Sequence, residues 1–190
     1  FIPTGLINTP GYMTPTQLRS LHAAGEEIGS HTVTHTDMLT ETPTQWITEF
    51  SKSKQQLQNW IGTPVTDFAY PNGLYSKQTT AYAKKYYAST RGVEDGLNSK
   101  DNFNPYDIKV QNIFDTTTTA QVADWVKQAK ATHTWLVLVY HSVDSTTGTG
   151  DDFNATPTQL DAQLAAIKAS GLPVMTYQQA LQQAKLQSSL

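Results

Sequence analysis

The 190-residue chain alternates short apolar runs with longer amphipathic segments from one end to the other. The apolar runs predict strands at residues 1–3, 27–29, 66–70, 86–89, 108–110, 135–140 and 173–176. Such alternation favours a parallel β-sheet with helices packed on its outside. About seven strand–helix units in one chain indicate an α/β barrel rather than an open sheet, and in such barrels the reactive side chains follow the carboxyl ends of the strands.

Three of the predicted helices begin with the same four residues, Thr-Pro-Thr-Gln, which start at Thr14, Thr42 and Thr156. Threonine suits the N-cap, proline suits the first helical position, and glutamine three residues after the cap completes a capping box. The glycines predicted to end these helices are Gly25, Gly62 and Gly171. Further helices are predicted at residues 76–85, 119–130 and 177–185.

The composition excludes several classes of function. Hydrophobic residues make up 38% of the chain and charged residues 15%, with a net charge of -3, so a nucleic-acid partner is not expected. No apolar run approaches the roughly 18 residues of a membrane span, so no membrane partner is expected either. The sequence contains no cysteine, which excludes a thiol nucleophile. Many threonine, glutamine and serine residues are typical of a secreted protein.

Two histidines four residues apart, His31 and His35, follow the predicted strand at residues 27–29. This spacing brings both imidazoles to one side of a helix turn or of a tight loop. Neutral imidazole nitrogens are the commonest protein ligands of divalent metals. The pair therefore indicates a metal site, and the alternative is two surface histidines near a turn.

Polar groups also follow two other predicted strands. The apolar run from Trp135 to Tyr140 is followed by His141, which suits catalysis at a strand end or, alternatively, a polar cap. The segment Tyr70-Pro71-Asn72-Gly73 predicts a turn, and a backbone N–H held by that turn could bind a developing oxyanion. In a barrel these strand ends would face one cleft, together with Arg91.

Together these stretches resemble the polysaccharide deacetylases, the carbohydrate esterase family 4 or NodB homology domain. The stretch Ser30-His31-Thr32-Val33-Thr34-His35 resembles the H-[ST]-x-x-H metal motif of that family, and Tyr70-Pro71-Asn72-Gly73 resembles its P-Y-G turn. Leu138-Val139-Tyr140-His141 resembles its L-x-L-x-H motif. Residues 1–5 and 173–177 resemble two of its strands, so the resemblance covers nearly the whole chain. It implies one domain over residues 1–190 with a distorted (β/α)7-type barrel.

The resemblance also implies roles for individual residues. His31 and His35 would hold a divalent metal, usually zinc, and His141 would be the general acid that protonates the leaving group. The Asn72 N–H would help to bind the oxyanion, and Val139 would line the pocket for the acetyl methyl group. The other residues expected to contact substrate are Tyr70, Pro71 and Tyr140.

The chain departs from the family pattern at its beginning. The family's Thr-Phe-Asp-Asp-Gly motif, which supplies the catalytic base and the third metal ligand, does not occur in this sequence. We expect that motif to precede Phe1 in a longer chain, and the alternative is a natural protein without its catalytic base. A first barrel strand would then be missing, and the open sheet edge predicts dimerisation or strand exchange.

A second departure is Ala69, where the family often carries an arginine that orients the catalytic aspartate. Arg91 could approach the same place from a neighbouring strand, or it could be an ordinary surface arginine. Asp115 is placed in the sequence either to orient His141 or to cap the helix that follows it. The pair Asp151-Asp152 is predicted to lie in a solvated loop rather than to replace the missing ligands.

The sequence thus predicts a hydrolase that removes acetyl groups from a polysaccharide or oligosaccharide with the help of a divalent metal. Polymers of N-acetylglucosamine, such as chitin or peptidoglycan, are favoured over acetylated xylan. We expect an extracellular or cell-wall-associated protein. The alternative is a catalytically inactive, carbohydrate-binding relic of the same fold.

Overall fold

The computed structural model describes residues 1–145 and 153–188. Within them the helices are α1 (Pro15–Ala23), α2 (Pro43–Ile61), α3 (Lys77–Ala83), α4 (Thr119–Thr132), α5 (Pro157–Ala169) and α6 (Tyr177–Ser188). The strands are β1 (Asp67–Ala69), β2 (Ser89–Asp95), β3 (Ile108–Asn112), β4 (Leu138–Val139), β5 (Ser142–Val143) and β6 (Asn154–Ala155). Helices and strands are interspersed along the chain, which confirms the α/β class predicted from the sequence.

The predicted helix starts are confirmed, because each Thr-Pro-Thr-Gln segment forms a complete capping box with proline in the first turn. In each box the threonine hydroxyl accepts from the backbone N–H of the glutamine, whose side chain accepts from the threonine N–H. The same device begins α3 at Ser76 and α4 at Thr118. Since Thr118 is the N-cap of α4, the alternative role of Asp115 as the cap of that helix is wrong.

The chain divides into two compact units. The first contains residues 1–92, 104–108 and 176–182, and the described part of the second contains residues 93–103, 109–145, 153–175 and 183–188. In the first unit, Ser30 forms parallel bridges to Ile2 and to Phe68. Strand β1 pairs in parallel with β2, with Asp67 opposite Ser89. The first unit therefore contains a parallel sheet, as the alternation of segments predicted.

The core of the first unit lies between α2 and this sheet. Phe50 of α2 and Phe68 of β1 are fully buried, with ring centroids 5.0 Å apart. Tyr87 packs against both rings, and its hydroxyl donates to the carbonyl of Phe50 (2.8 Å). The helix is thereby fixed against β1, to which Ser30, the residue immediately before His31, is bridged.

The second unit has its own parallel pairs and its own core. Strand β3 pairs with β4, with Gln111 opposite Leu138, and β5 pairs with β6. The core is built from apolar side chains of α4 and the strands, namely Ile113, Val122, Val126 and Ala155. Within the described residues no helix is both long enough and apolar enough to cross a bilayer.

Five of the seven predicted strands differ from the structure by more than their exact ends. Residues 1–3 and 27–29 form no strand, although Ile2 and the following residue Ser30 make isolated parallel bridges. Residues 173–176 form no strand, and Val174 is 80% exposed. The predicted strand at residues 86–89 starts only at Ser89, because Tyr87 N–H still donates to the carbonyl of Ala83 in a helical turn. The run from Trp135 to Tyr140 is strand only at Leu138–Val139. Each of these segments has a strand-like composition, but its backbone pairs with a neighbouring strand over only part of its length or not at all.

Candidate metal centre

The two histidines follow Ser30, a residue of the first unit that forms two isolated parallel bridges. The bridges of Ser30 to Ile2 and Phe68 fix the start of the segment that carries both histidines, and the His31 N–H donates to the carbonyl of Ile2 (3.1 Å). The rings of His31 and His35 meet edge to face, with centroids 4.8 Å apart and planes at 75°. The fold therefore brings together the two imidazoles that the spacing of four residues singled out.

His31 has the tautomer and the protonation state that metal binding requires. Its Nδ1 lies 2.7 Å from the carbonyl oxygen of Ala69. Because a carbonyl can only accept, Nδ1 carries the proton and Nε2 keeps its lone pair. Burial of the ring, with a smaller contribution from the charge of Arg91, lowers the pKa of His31 to about 3. The imidazole is consequently neutral at physiological pH.

The turn between the histidines has a strained backbone. Thr32 and His35 have positive φ angles of 66° and 57°, in the left-handed region that side chains rarely adopt, and such a residue costs roughly 1–3 kcal/mol. Thr32 Oγ1 donates to the His31 carbonyl (2.5 Å) and accepts from the His35 N–H (2.9 Å). Strain of this kind persists only where surrounding contacts enforce it.

Residues 4 and 5 contact the carbonyl side of this turn. The Thr4 N–H donates to the carbonyl of Thr32 (3.0 Å), and the Gly5 N–H donates to the carbonyl of Val33 (2.8 Å). A Cβ atom at Gly5 would lie 2.5 Å from the Val33 oxygen. Only glycine therefore allows this close approach of the two backbones.

Imidazole nitrogens are suitable donors for zinc and for similar divalent metals. His31 and His35 could together supply two ligands, leaving other positions for water, substrate or a further protein group. Among the residues that the structure describes, no group of three histidine, cysteine, aspartate or glutamate side chains could hold a metal ion. The pair Asp151-Asp152, considered above as a substitute ligand, lies outside the described residues.

Arg91 is not an ordinary surface arginine. It lies opposite Ala69 in the β1–β2 pair and is only 7% exposed. Its Nη1 donates to the carbonyl of Gly92 (3.1 Å), and its guanidinium carbon lies 5.1 Å from the centroid of the Phe1 ring. Burial lowers the pKa of Arg91 to about 10, so the side chain still carries its charge at neutral pH. A buried positive charge thus lies on the strand next to the residue that binds His31.

The predicted turn at Tyr70-Pro71-Asn72-Gly73 is present as a short 3-10 turn over Pro71–Gly73. Asn72 is exposed and has left-handed angles (φ 53°, ψ 12°), which asparagine tolerates. Within the described part of the chain, no protein group accepts from its N–H. The side chain of Tyr70 is fully buried and stacks on Tyr75 at 4.8 Å, and Pro71 is also buried. These two side chains pack in the core, which does not support their predicted contact with substrate.

The other predicted site residues lie in the second unit. His141 is exposed two residues after β4, with its ring centroid 4.8 Å from that of Phe153. Val139 is 8% exposed. The Tyr140 hydroxyl donates to Oε1 of Gln163 (2.7 Å), so this side chain is committed to packing on α5. That His141 faces the same cleft as the histidine pair stays a prediction.

Asp115 contacts α5 through its backbone carbonyl. Its carbonyl accepts from Nε2 of Gln159 (2.8 Å). The segment from Asp115 leads through a turn into the cap of α4, where Phe114 N–H donates to Thr117 Oγ1 (2.9 Å). That Asp115 orients His141 stays a prediction.

One residue of the site has no counterpart in the sequence-based prediction. Glu49 of α2 is buried on the same helix face as Trp46, Phe50, Ser53 and Leu57. Its carboxylate accepts from the backbone of the histidine turn. A charged residue on an otherwise core-facing helix stripe was the available signal, although its partner could not be identified without the fold.

A second, half-buried carboxyl group provides a test of the sheet beneath the site. Glu27 accepts from the Gln178 N–H (2.6 Å) and lies beside the buried Asp67. Burial, with the neighbouring Asp67, raises the pKa of Glu27 from its ordinary value of 4.5 to about 7. The folded state therefore binds more protons than the unfolded state between these pH values. The stabilisation from Glu27 is complete below pH 4.5 and is lost as the pH rises through about 7.

Replacing Glu27 by glutamine should remove this pH dependence. The amide can still accept from the Gln178 N–H, and it can donate to the Asp67 carboxylate without a titrating proton. We expect Glu27→Gln to be more stable than the wild type by about 1–2 kcal/mol at pH 8.5, after allowance for partial exposure, and similar to it at pH 4. Urea unfolding at both pH values measures this, with the exposed neighbour substitution Glu26→Gln as control. Equal stability of Glu27→Gln and wild type at pH 8.5 would contradict the expectation.

Comparison with known families identifies the first part of the chain. The family model described as polysaccharide deacetylase matches residues 1–89, which include both histidines and the turn at Pro71–Gly73. Residues 1–89 are therefore similar to the polysaccharide deacetylase family. The resemblance stated from the sequence motifs is thereby confirmed.

Two curated relatives are similar to this chain and are much longer than it. A protein of Bacillus subtilis (strain 168), YxkH, whose name places it among the polysaccharide deacetylases, is 31% identical over 91 residues. A gellan lyase of a Bacillus species is 36% identical over 105 residues. These matches cover 47% and 55% of this chain, but only 33% and 4% of the respective relatives.

Solved structures extend the likeness beyond residue 89. BC0361, a polysaccharide deacetylase from Bacillus cereus, is 25% identical with a TM-score of 0.59, covering 65% of this chain and 40% of that one. A family 4 acetyl xylan esterase from Clostridium thermocellum, solved with a cobalt ion, is 17% identical with a TM-score of 0.60, covering 89% of this chain and 70% of that one. The chain thus shares the distorted α/β barrel fold of these deacetylase and esterase structures. The fold class predicted from the sequence is confirmed.

Proposed function

We propose that this chain is part of an enzyme that removes acetyl groups from a polysaccharide or oligosaccharide by metal-dependent hydrolysis, outside the cell or at the cell wall. The observation that carries the proposal is the state of His31. Its neutral ring is oriented by the Ala69 carbonyl (2.7 Å) and packs at 4.8 Å against His35. This pair lies within the stretch that matches the deacetylase family.

His31 and His35 are the residues that would hold the metal, which we propose to be zinc. A bound zinc ion lowers the pKa of water toward neutrality and polarises a carbonyl group. The His31 Nδ1–H bond to Ala69 keeps the ring in one orientation and raises its basicity as a ligand. The protein thus supplies one fixed, neutral imidazole, that of His31, beside a second imidazole on a strained and well-held turn.

Other residues are proposed to act on the acetyl group and on the leaving group. The exposed N–H of Asn72 is available to donate to the oxyanion that forms on the acetyl carbonyl. The buried charge of Arg91 suits the stabilisation of negative charge near His31. His141, an exposed imidazole after β4, is proposed to give a proton to the departing amine or alkoxide, and Val139 to line the pocket for the acetyl methyl group.

The proposed substrates are polymers of N-acetylglucosamine, with acetylated xylan as the alternative. The test is acetate release from N-acetylglucosamine oligosaccharides and from acetylated xylan, by this chain and by a longer natural chain if one exists. Each protein is assayed as prepared, after treatment with a chelator, and after zinc is restored. We expect release that the chelator abolishes and zinc recovers.

Two results would overturn the proposal. Acetate release that is indifferent to the chelator would exclude the metal-dependent mechanism. Zinc binding and glycan binding without any acetate release from either chain would favour the inactive, carbohydrate-binding alternative. Since the described residues contain no third protein ligand for a metal, the zinc affinity of this chain should be measured together with its activity.

A further inference from the structure

A buried carboxylate lies behind the turn that carries the two histidines. Glu49 is on α2 and is only 7% exposed. Its Oε2 accepts from the N–H groups of Val33 (2.6 Å) and Thr34 (3.1 Å). Its Oε1 accepts from the hydroxyl of Thr34 (3.1 Å). All three donors thus come from the two residues that precede His35.

A carboxylate is costly to bury unless hydrogen bonds replace its hydration. Two successive backbone N–H groups that converge on one oxygen form a small concave anion site, and hydrogen bonds to a charged acceptor are stronger than those to a neutral one. The turn therefore compensates the charge of Glu49, and in return the charge holds the turn. The conformation of residues 33–34 is in this way coupled to α2.

The other hydrogen bonds of the turn do not involve the N–H groups of residues 33 and 34. Thr4 and Gly5 bind the carbonyl groups of Thr32 and Val33, and Thr32 Oγ1 bridges the ends of the turn. Within the described part of the chain, Glu49 is the acceptor for the N–H groups of residues 33 and 34. Without it, these groups would lose their protein acceptor and the strained turn would lose the support from the helix side.

We infer that Glu49 is a positioning residue for the proposed metal site. It holds residues 33–34 so that the rings of His31 and His35 stay in contact before any metal is bound. The effect of Glu49 on metal binding rests on the proposed function. The hydrogen bonds from residues 33 and 34 to Glu49, and the contact between the two histidine rings, are present in the metal-free protein. A turn that is already ordered loses less conformational freedom when a ligand binds, so Glu49 should also raise the metal affinity.

The first test examines the metal-free protein by NMR. In Glu49→Ala we expect the nuclear Overhauser contacts between the rings of His31 and His35 to disappear. Amide exchange at Val33 and Thr34 should increase at least about tenfold, since these N–H groups lose their acceptor. The matched control is Gln58→Ala on the same helix, because Gln58 Oε1 accepts from the Val65 N–H (3.1 Å) away from the histidine turn. This control should keep the ring contacts and the slow exchange at residues 33 and 34.

The second test is zinc titration by calorimetry. Glu49→Ala should bind zinc at least about tenfold more weakly than the wild type, the effect typical of losing an outer partner of a metal ligand, while Gln58→Ala should bind as the wild type does. Glu49→Gln keeps the shape and one acceptor but removes the charge, so it should fall between the wild type and Glu49→Ala. If Glu49→Ala does not fold, Glu49→Gln and Thr34→Val decide between the outcomes.

Unchanged ring contacts and unchanged amide exchange in folded Glu49→Ala, or in the two milder variants, would overturn the inference. If Gln58→Ala lost the contacts between the histidine rings to the same extent as Glu49→Ala, the inference would also be overturned. The loss would then reflect a general destabilisation of the protein. A wild-type protein that binds no zinc would instead count against the proposed function. The NMR comparison would still decide the role of Glu49 in that case.

Discussion

Replacing His31 by alanine is expected to lower kcat/KM for acetate release at least about a hundredfold. Loss of a mere outer partner of a metal ligand costs roughly 10–100-fold, and loss of the ligand itself should cost more. The substitution removes the neutral imidazole whose Nδ1 lies 2.7 Å from the Ala69 carbonyl. Activity at saturating zinc is the measurement, with zinc affinity determined in parallel on the same preparations.

The matched control for this prediction is another histidine of the first unit. His22 lies on α1, with Nε2 at 3.0 Å from Thr63 Oγ1 and outside the histidine turn. His22→Ala should retain wild-type activity and zinc affinity. If His31→Ala kept wild-type kcat/KM, the assignment of His31 as a metal ligand would be wrong.

Replacing Phe50 by alanine should reduce the free energy of unfolding by about 3–5 kcal/mol, the usual cost of removing a fully buried aromatic ring. Phe50 has no exposed surface and packs at 5.0 Å against Phe68 and at 6.1 Å against Tyr87. The loss combines the transfer free energy of the ring with the cavity that it leaves. Since typical domains are stable by about 5–15 kcal/mol in total, this change should shift the urea midpoint strongly.

Ile47 on the same helix is the control for the Phe50 substitution. Its side chain is 42% exposed, so Ile47→Ala removes apolar atoms without leaving a closed cavity. We expect a loss below about 1 kcal/mol for this variant. Comparable losses for Ile47→Ala and Phe50→Ala, measured by urea unfolding with circular dichroism, would show that the core does not lie where the structure has it.

The helices were predictable because their boundaries are encoded within a few residues. Thr42, Pro43 and Gln45 begin α2 through contacts within one turn, and Gly62 ends it with a left-handed φ of 77°. Capping boxes also begin α3 at Ser76 and α4 at Thr118, where the full Thr-Pro-Thr-Gln sequence does not occur. The sequence predicts both of these helices but not their capping boxes. Local signals of this kind need no knowledge of the tertiary fold.

Strands depend on a partner that the sequence does not specify. The apolar segment at residues 173–176 has strand-like composition, yet Val174 is 80% exposed and no strand forms there. Short parallel strands make few hydrogen bonds of their own, so the pairing of distant segments decides where they begin and end. This explains why the predicted class was correct while several strand limits were not.

The site was predictable only in part for the same reason. The spacing of His31 and His35 is local, and it correctly placed two imidazoles side by side. The burial of Tyr70 and Arg91 and the contact of Glu49 with the turn depend on packing between distant segments. Glu49 acts on residues that precede it by 15 and 16 positions, through a helix whose placement the sequence does not specify.

The capping boxes of α1 to α5 are built entirely from neutral side chains. Each has threonine or serine at the cap and glutamine or threonine three residues later, and none of these helices has an acidic residue in its first turn. A hydroxyl–amide pair has no proton to gain in acid and no charge for salt to screen. The helix starts should therefore tolerate low pH and high ionic strength.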